Sequence, residues 1–128
     1  ATQRSISNWI SFYGISDIGY FFVEDQTHGS IYSEAGLTNA WDQSPLKYIN
    51  NMKTPTLILH SKFDYRCPID QGYQLFTALK HKGVPTRMVV LNEENHDLSR
   101  SGKPKARLTR LTEITNWLHD YLKADSNY

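Results

Sequence analysis

The chain has very little with which to build a cross-linked, membrane-bound or nucleic-acid-binding protein. Its single cysteine, Cys67, excludes an internal disulfide and points to a reducing, cytoplasmic compartment. No apolar run approaches the ~18 residues of a membrane span, and residues 1–10 lack a signal-peptide pattern. Fourteen basic against 13 acidic residues leave a net charge of +1, and Lys and Arg form no stripe, so a nucleic-acid partner is not expected. Histidine is scattered: His28, His60, His81 and His119 show no His-x-x-x-His pairing. Neither a metal site nor another cofactor is therefore expected. There is no internal repeat and no low-complexity segment.

What remains is an ordinary globular composition, 39% hydrophobic and 21% charged. At 128 residues the chain is one domain, able to bury roughly two thirds of its unfolded surface. Its organising stretch runs from Thr54 to His96. Leu57, Ile58 and Leu59 read as a strand buried on both faces, as do Met88, Val89, Val90 and Leu91. Between them, residues 71–82 carry Tyr73, Phe76 and Leu79 at helical spacing, with Leu75 widening the stripe. Gly83 and then Pro85 supply the helix stop. Strand, helix, strand at this length is a βαβ unit, and a right-handed crossover makes the strands parallel.

In open parallel sheets, ligands and chemistry collect at the carboxyl ends of the strands. Asp64 follows the first strand there and His96 follows the second. Each alone reads as a turn or surface-loop residue. Together, in that order, they suggest the orienting acid and the general base of a nucleophilic hydrolase. A base of this kind must be neutral and held in one tautomer, which a carboxylate on its other nitrogen achieves. The nucleophile should precede the acid on a Gly-x-Ser-x-Gly turn, and the sequence contains no such turn. Cys67 lacks the strand-to-helix elbow that would make it a substitute. Arg66 and Arg100 flank the pair, and either local carboxylate pairing or positioning of a substrate carboxylate or carbonyl would account for them. His60, inside an apolar strand, reads as a satisfied core histidine.

Elsewhere, residues 2–7 read as the tail of a strand and its loop. Ser16 and Asp17 can cap a helix over residues 17–26, whose apolar residues cover most of its circumference. That helix either packs against the domain or walls a substrate cleft. Residues 32–44 are expected to be irregular, with Gly36 and Asn39 as turn residues. Ser44 and Pro45 open a short helix to about Met52. Residues 99–104 read as a loop, and Leu108, Leu111, Ile114, Leu118 and Leu122 mark an amphipathic helix over 105–123. Residues 124–128 are expected to fray.

Three of these segments resemble one family. Thr54-Pro-Thr-Leu-Ile-Leu-His-Ser-Lys-Phe-Asp-Tyr-Arg-Cys-Pro-Ile69 is similar to the acid-bearing segment of the prolyl oligopeptidase family, especially its acylaminoacyl-peptidase and dipeptidyl-aminopeptidase-like branch. Glu94-Asn-His-Asp-Leu-Ser-Arg-Ser-Gly-Lys-Pro104 resembles its catalytic-histidine loop, and residues 2–9 resemble the stretch just after its nucleophile. Ser61 stands where many relatives have Gly. The resemblance implies a partial α/β-hydrolase fold, with about three parallel strands and helices on both faces. Residues 1–128 would be the carboxy-terminal part of a peptidase catalytic domain, with Asp64 as triad acid and His96 as base, no cofactor, and short peptides as substrates of the parent. An esterase or lipase of the same fold, or a non-catalytic α/β binding module, are the alternatives. The family's Gly-Gly-Ser-Tyr-Gly-Gly type segment is absent from this sequence, and so is its β-propeller. The isolated chain is accordingly expected to be inactive, and to form a homo-oligomer or strand-exchanged dimer through uncovered sheet and helix surfaces.

Overall fold

The computed structural model describes residues 1–123; the segment expected to fray, 124–128, lies outside them. A three-stranded parallel sheet in the order β1-β2-β3 carries the fold. Its strands are β1 (Thr2–Gln3), β2 (Thr56–Ser61) and β3 (Thr86–Leu91). β1 sets Thr2 beside Ile58, and β2 pairs with β3 along its whole length, from Thr56 opposite Thr86 to Ser61 opposite Leu91. The expected βαβ unit is therefore present, closed by α4 (Ile69–His81).

One face of the sheet packs Ile58 against Leu75, Leu79 and Val84, with Leu46, Ile49, Met52, Phe76 and Met88 around them. The buried face of α4 is Gln71, Gly72, Leu75 and Leu79. Tyr73, expected on that face, is instead exposed. The helix is turned because Gln71, though polar, is completely buried and satisfied: its carbonyl oxygen accepts from the Ser7 and Asn8 amides, and its amide donates to Ser11. Such a group can enter a core once its hydrogen bonds are met.

The α4 stop follows the sequence. Gly83 has φ +74°, its N–H donates to the Lys80 carbonyl, and the Val84 N–H donates to the Leu79 carbonyl. This is the two-bond Schellman closure, in which the left-handed position falls to glycine. A Cβ at Gly83 would meet nothing within 4 Å. Gly83→Ala is therefore expected to cost about 1 kcal/mol through backbone strain alone. Urea denaturation checks this; no loss would mean that the turn relaxes.

Ahead of β2 lies a small helical layer made of α1 (Trp9–Ile15), α2 (Gly19–Thr27) and α3 (Glu34–Asp42). Phe12 and Val23 are fully buried there against Cys67. Helix α1 has no counterpart among the expected elements; the Asn8 side chain caps it by accepting from Ile10 N–H. The 17–26 helix starts later than expected, and Ser16 and Asp17 do not cap it: Ile18 is the first flanking residue and makes no side-chain cap bond. Residues 32–44, expected to be irregular, contain α3. Ser33 caps it through the Gly36 N–H, and the small residues Gly36 and Ala40 form its buried side. Ser44 precedes a 3₁₀ helix (Pro45–Asn51) but does not cap it; its hydroxyl donates to the Ala40 carbonyl.

The other face of the sheet carries α6 (Pro104–Tyr121), reached through one helical turn, α5 (Leu98–Ser101), inside the expected loop. Arg87 on β3 forms a two-point pair with Glu113 on α6. The leucine stripe of α6 does not face this sheet: Leu108, Leu111, Leu118 and Leu122 are all exposed. The partly buried residues of the helix are Ala106, Thr109, Arg110, Glu113, Ile114 and Trp117, so that of the expected stripe only Ile114 is partly covered. Among the described residues, no helix is long and apolar enough to cross a membrane.

Candidate functional site

Asp64 and His96 stand together at the carboxyl ends of β2 and β3. The two loops that carry them are joined through backbone bonds: Lys62 N–H donates to the Leu91 carbonyl, and Phe63 N–H to the Glu94 carbonyl, each at 3.0 Å. Glu94 is buried, and its carboxylate accepts the Lys103 N–H, which fixes the histidine loop against the start of α6. From the far side of the sheet, Arg4 donates to the His96 carbonyl at 3.2 Å. Arg4 adopts a left-handed backbone, φ 58°, just after β1. Nothing in the sequence marks it as a site residue, because neither that turn nor its reach across the sheet is visible in a linear pattern.

The Asp64 carboxylate is fully buried, while the His96 ring is 29% exposed. Oδ1 of Asp64 accepts the Cys67 amide at 2.8 Å and the Arg66 amide at 3.0 Å. Both carboxylate oxygens lie 3.1 Å from Nδ1 of His96. An ionised carboxylate can only accept, so the imidazole donates from Nδ1 and keeps the Nε2 lone pair free. The arrangement can hold one tautomer and take up a proton at Nε2.

The other candidates separate on geometry. The Cys67 thiol is buried, and burial first, then the Asp64 charge, push its pKa up to about 11. It stays a thiol at neutral pH and lacks the thiolate that nucleophilic attack requires. Arg66 forms a two-point pair with Asp17, Nε to Oδ1 at 2.8 Å and Nη2 to Oδ2 at 3.2 Å. That guanidinium holds the Asp17 carboxyl below its usual range. The Ser16–Asp17 turn also grips the acid loop directly: Asp17 N–H donates to the Tyr65 carbonyl, and the Ser16 hydroxyl to the Arg66 carbonyl. Arg100 pairs with Asp97. Both ion pairs, together with His96, Phe63, Tyr65 and Asn95, line an open cavity of about 420 Å³. His60 is only half satisfied: its Nε2 bonds the Cys67 carbonyl, and its buried Nδ1 has no partner. Among the described residues no group of three or more His, Cys, Asp or Glu could hold a metal.

An acid and a histidine on successive ends of a parallel sheet, with helices on both faces, define part of an α/β-hydrolase fold. The sequence matches the prolyl oligopeptidase family over residues 1–125, and the chain belongs to that family. It is 50% identical over 121 residues to the Bacillus subtilis protein named "Uncharacterized peptidase YuxL", covering 94% of this chain and 18% of that one. It is 35% identical to the acylamino-acid-releasing enzyme of Arabidopsis thaliana, over 96% of this chain and 16% of the relative. The uncomplexed acylaminoacyl peptidase of Pyrococcus horikoshii superposes with a TM-score of 0.84 at 30% identity, over 98% of this chain and 20% of that chain. The chain thus spans less than a fifth of the length of the curated relatives it matches.

Proposed function

We propose that these residues belong to the catalytic domain of a serine peptidase, of which they form the carboxy-terminal part. The observation that carries this reading is the buried Asp64 carboxylate, held by two backbone amides and set against Nδ1 of His96. His96 Nε2 would take the proton of a serine hydroxyl supplied by another part of the domain, and later return it to the leaving amine as the acyl-enzyme forms. Asp64 holds the tautomer and stabilises the imidazolium that forms. The names of the Arabidopsis and Pyrococcus relatives support acylaminoacyl peptides as substrates, and that of the dipeptidyl-peptidase 5 of Arthroderma otae, 31% identical to this chain, supports dipeptidyl-peptidase-like cleavage as the neighbouring specificity. Arg66 and Arg100 lie on the wall of the cavity beside His96, and their pairing with Asp17 and Asp97 favours a local structural role over direct positioning of a substrate carbonyl or carboxylate. One buried thiol suits a cytoplasmic setting.

The test is made on the longest natural chain that carries these residues. Labelling by a serine-directed fluorophosphonate and turnover of acyl-amino-acid and dipeptide anilides are expected. Turnover of esters alone would replace peptidase by esterase. Failure to label would remove the serine mechanism.

The isolated 128 residues should self-associate. β1 pairs with β2 on one edge only, and α6 and the residue after it present four exposed leucines. Open edges and apolar patches of this kind recruit a second chain. A sedimentation profile that stays monomeric from micromolar to millimolar concentration would refute this.

A further inference from the structure

His60 is the one fully buried histidine of the described residues, and the transfer of a serine proton to His96, oriented by Asp64, gives it no part. It lies on the strand that leads into the acid loop, four residues before Asp64, on the face covered by α4. Its Nε2 is 2.7 Å from the Cys67 carbonyl. A carbonyl can only accept, so Nε2 carries the proton and the tautomer is fixed. At the other end of the same residue, the Cys67 N–H donates to Asp64 Oδ1 at 2.8 Å. Cys67 is thus gripped at both ends of its backbone, by an imidazole at its oxygen and by the acid at its nitrogen.

The imidazole is itself closely confined. A Cβ at Gly72 would stand 2.9 Å from His60 Nδ1 and 3.0 Å from Met88 Cε, so α4 lies against the ring. The unpartnered Nδ1 is a cost that an apolar side chain would not incur. A histidine kept in the core at that cost holds something with its other nitrogen. We infer that His60 is a positioning residue for the acid–base pair: through the Cys67 carbonyl it sets the loop whose amides orient the Asp64 carboxylate toward His96. The inference rests on reading Asp64 and His96 as the catalytic acid and base.

Three variants of the longest natural chain test it: His60→Leu, which removes the donor; His60→Asn, whose amide is too short to reach the carbonyl; and His60→Gln, whose terminal amide spans the distance. The readouts are kcat and KM on a peptide reporter and the NMR resonance of the His96 Nδ1 proton, which reports the contact with Asp64. The Leu and Asn variants should lose about tenfold or more in kcat at nearly unchanged KM, the scale expected of a small misplacement remote from the reacting atoms. Their Nδ1 resonance should move, and Gln should restore both readouts to within about threefold. If Leu does not fold, the comparison of Asn with Gln decides alone. Folded Leu or Asn variants with unchanged kcat and resonance, or a Gln variant as impaired as Asn, would overturn the inference. Asp64→Asn in the same assay keeps the two readings apart: if it leaves kcat intact, the acid assignment has failed; if it abolishes kcat while the His60 variants do not, only the role of His60 has failed.

Discussion

His96→Ala in the full-length protein is expected to lower kcat about a million-fold, and Asp64→Asn about ten-thousand-fold, with KM little changed in either. The histidine variant removes the proton acceptor, so the nucleophile can no longer be activated. The asparagine variant is the more informative of the two. Asp64 Oδ1 is held by the Arg66 and Cys67 amides, both donors. In the Asp64→Asn variant the carboxamide oxygen must take that position, which turns the NH₂ toward His96 Nδ1. Nδ1 then meets an NH₂ donor at 3.1 Å where it had a carboxylate oxygen, which favours the tautomer with the proton on Nε2 and disables the base although the geometry is intact. A rate within tenfold of the parent for either variant would refute the assignment. An Asp64→Ala variant more active than Asp64→Asn would support the tautomer argument specifically, because it removes the wrong donor.

The part of the molecule legible in the sequence is the part governed by short-range pattern. β2 is an apolar run whose buried character follows from composition, whereas β3, expected to be buried on both faces, leaves Met88, Val89 and Val90 only partly buried and buries Leu91 alone of the four; Gly83 with Pro85 closes α4 where left-handed backbone is required. Asp64 and His96 can be paired because the βαβ unit places both on one rim whatever the side-chain detail. Tyr73 and Gln71 show where pattern fails. The helix is oriented by hydrogen bonds from Ser7 and Asn8, about sixty residues away in sequence, and no periodicity within the helix reports them. Helix α3 fails for another reason: its buried side is made of Gly36 and Ala40, residues too small to give an apolar signal. Its Ser33–Glu34 start is the one available cue. The α6 leucines form the stripe that their spacing announces, but a stripe does not say what covers it.

The isolated 128 residues should show no hydrolytic activity at all. His96 is held by Asp64 as the proposed base would require, but it has nothing to activate. The sequence contains no Gly-x-Ser-x-Gly turn, and in this fold that turn supplies both the attacking hydroxyl and one of the oxyanion N–H groups. The walls of the cavity at His96 offer a single hydroxyl, that of Tyr65. The thiol on the acid loop, Cys67, is buried and, at a pKa of about 11, protonated at neutral pH. Serine enzymes that lose a triad member keep about a thousandfold advantage over water from the oxyanion hole and substrate binding. Here the nucleophile-adjacent oxyanion donor is missing as well, so that remnant of activity should also vanish. Pure chain, shown folded by circular dichroism, is incubated with a fluorophosphonate probe and with acyl-amino-acid and dipeptide reporters. The expected result is no labelling and no turnover above buffer. Stoichiometric labelling, or turnover that His96→Ala abolishes, would mean that a serine of this chain reaches His96 Nε2 by a route the geometry does not show.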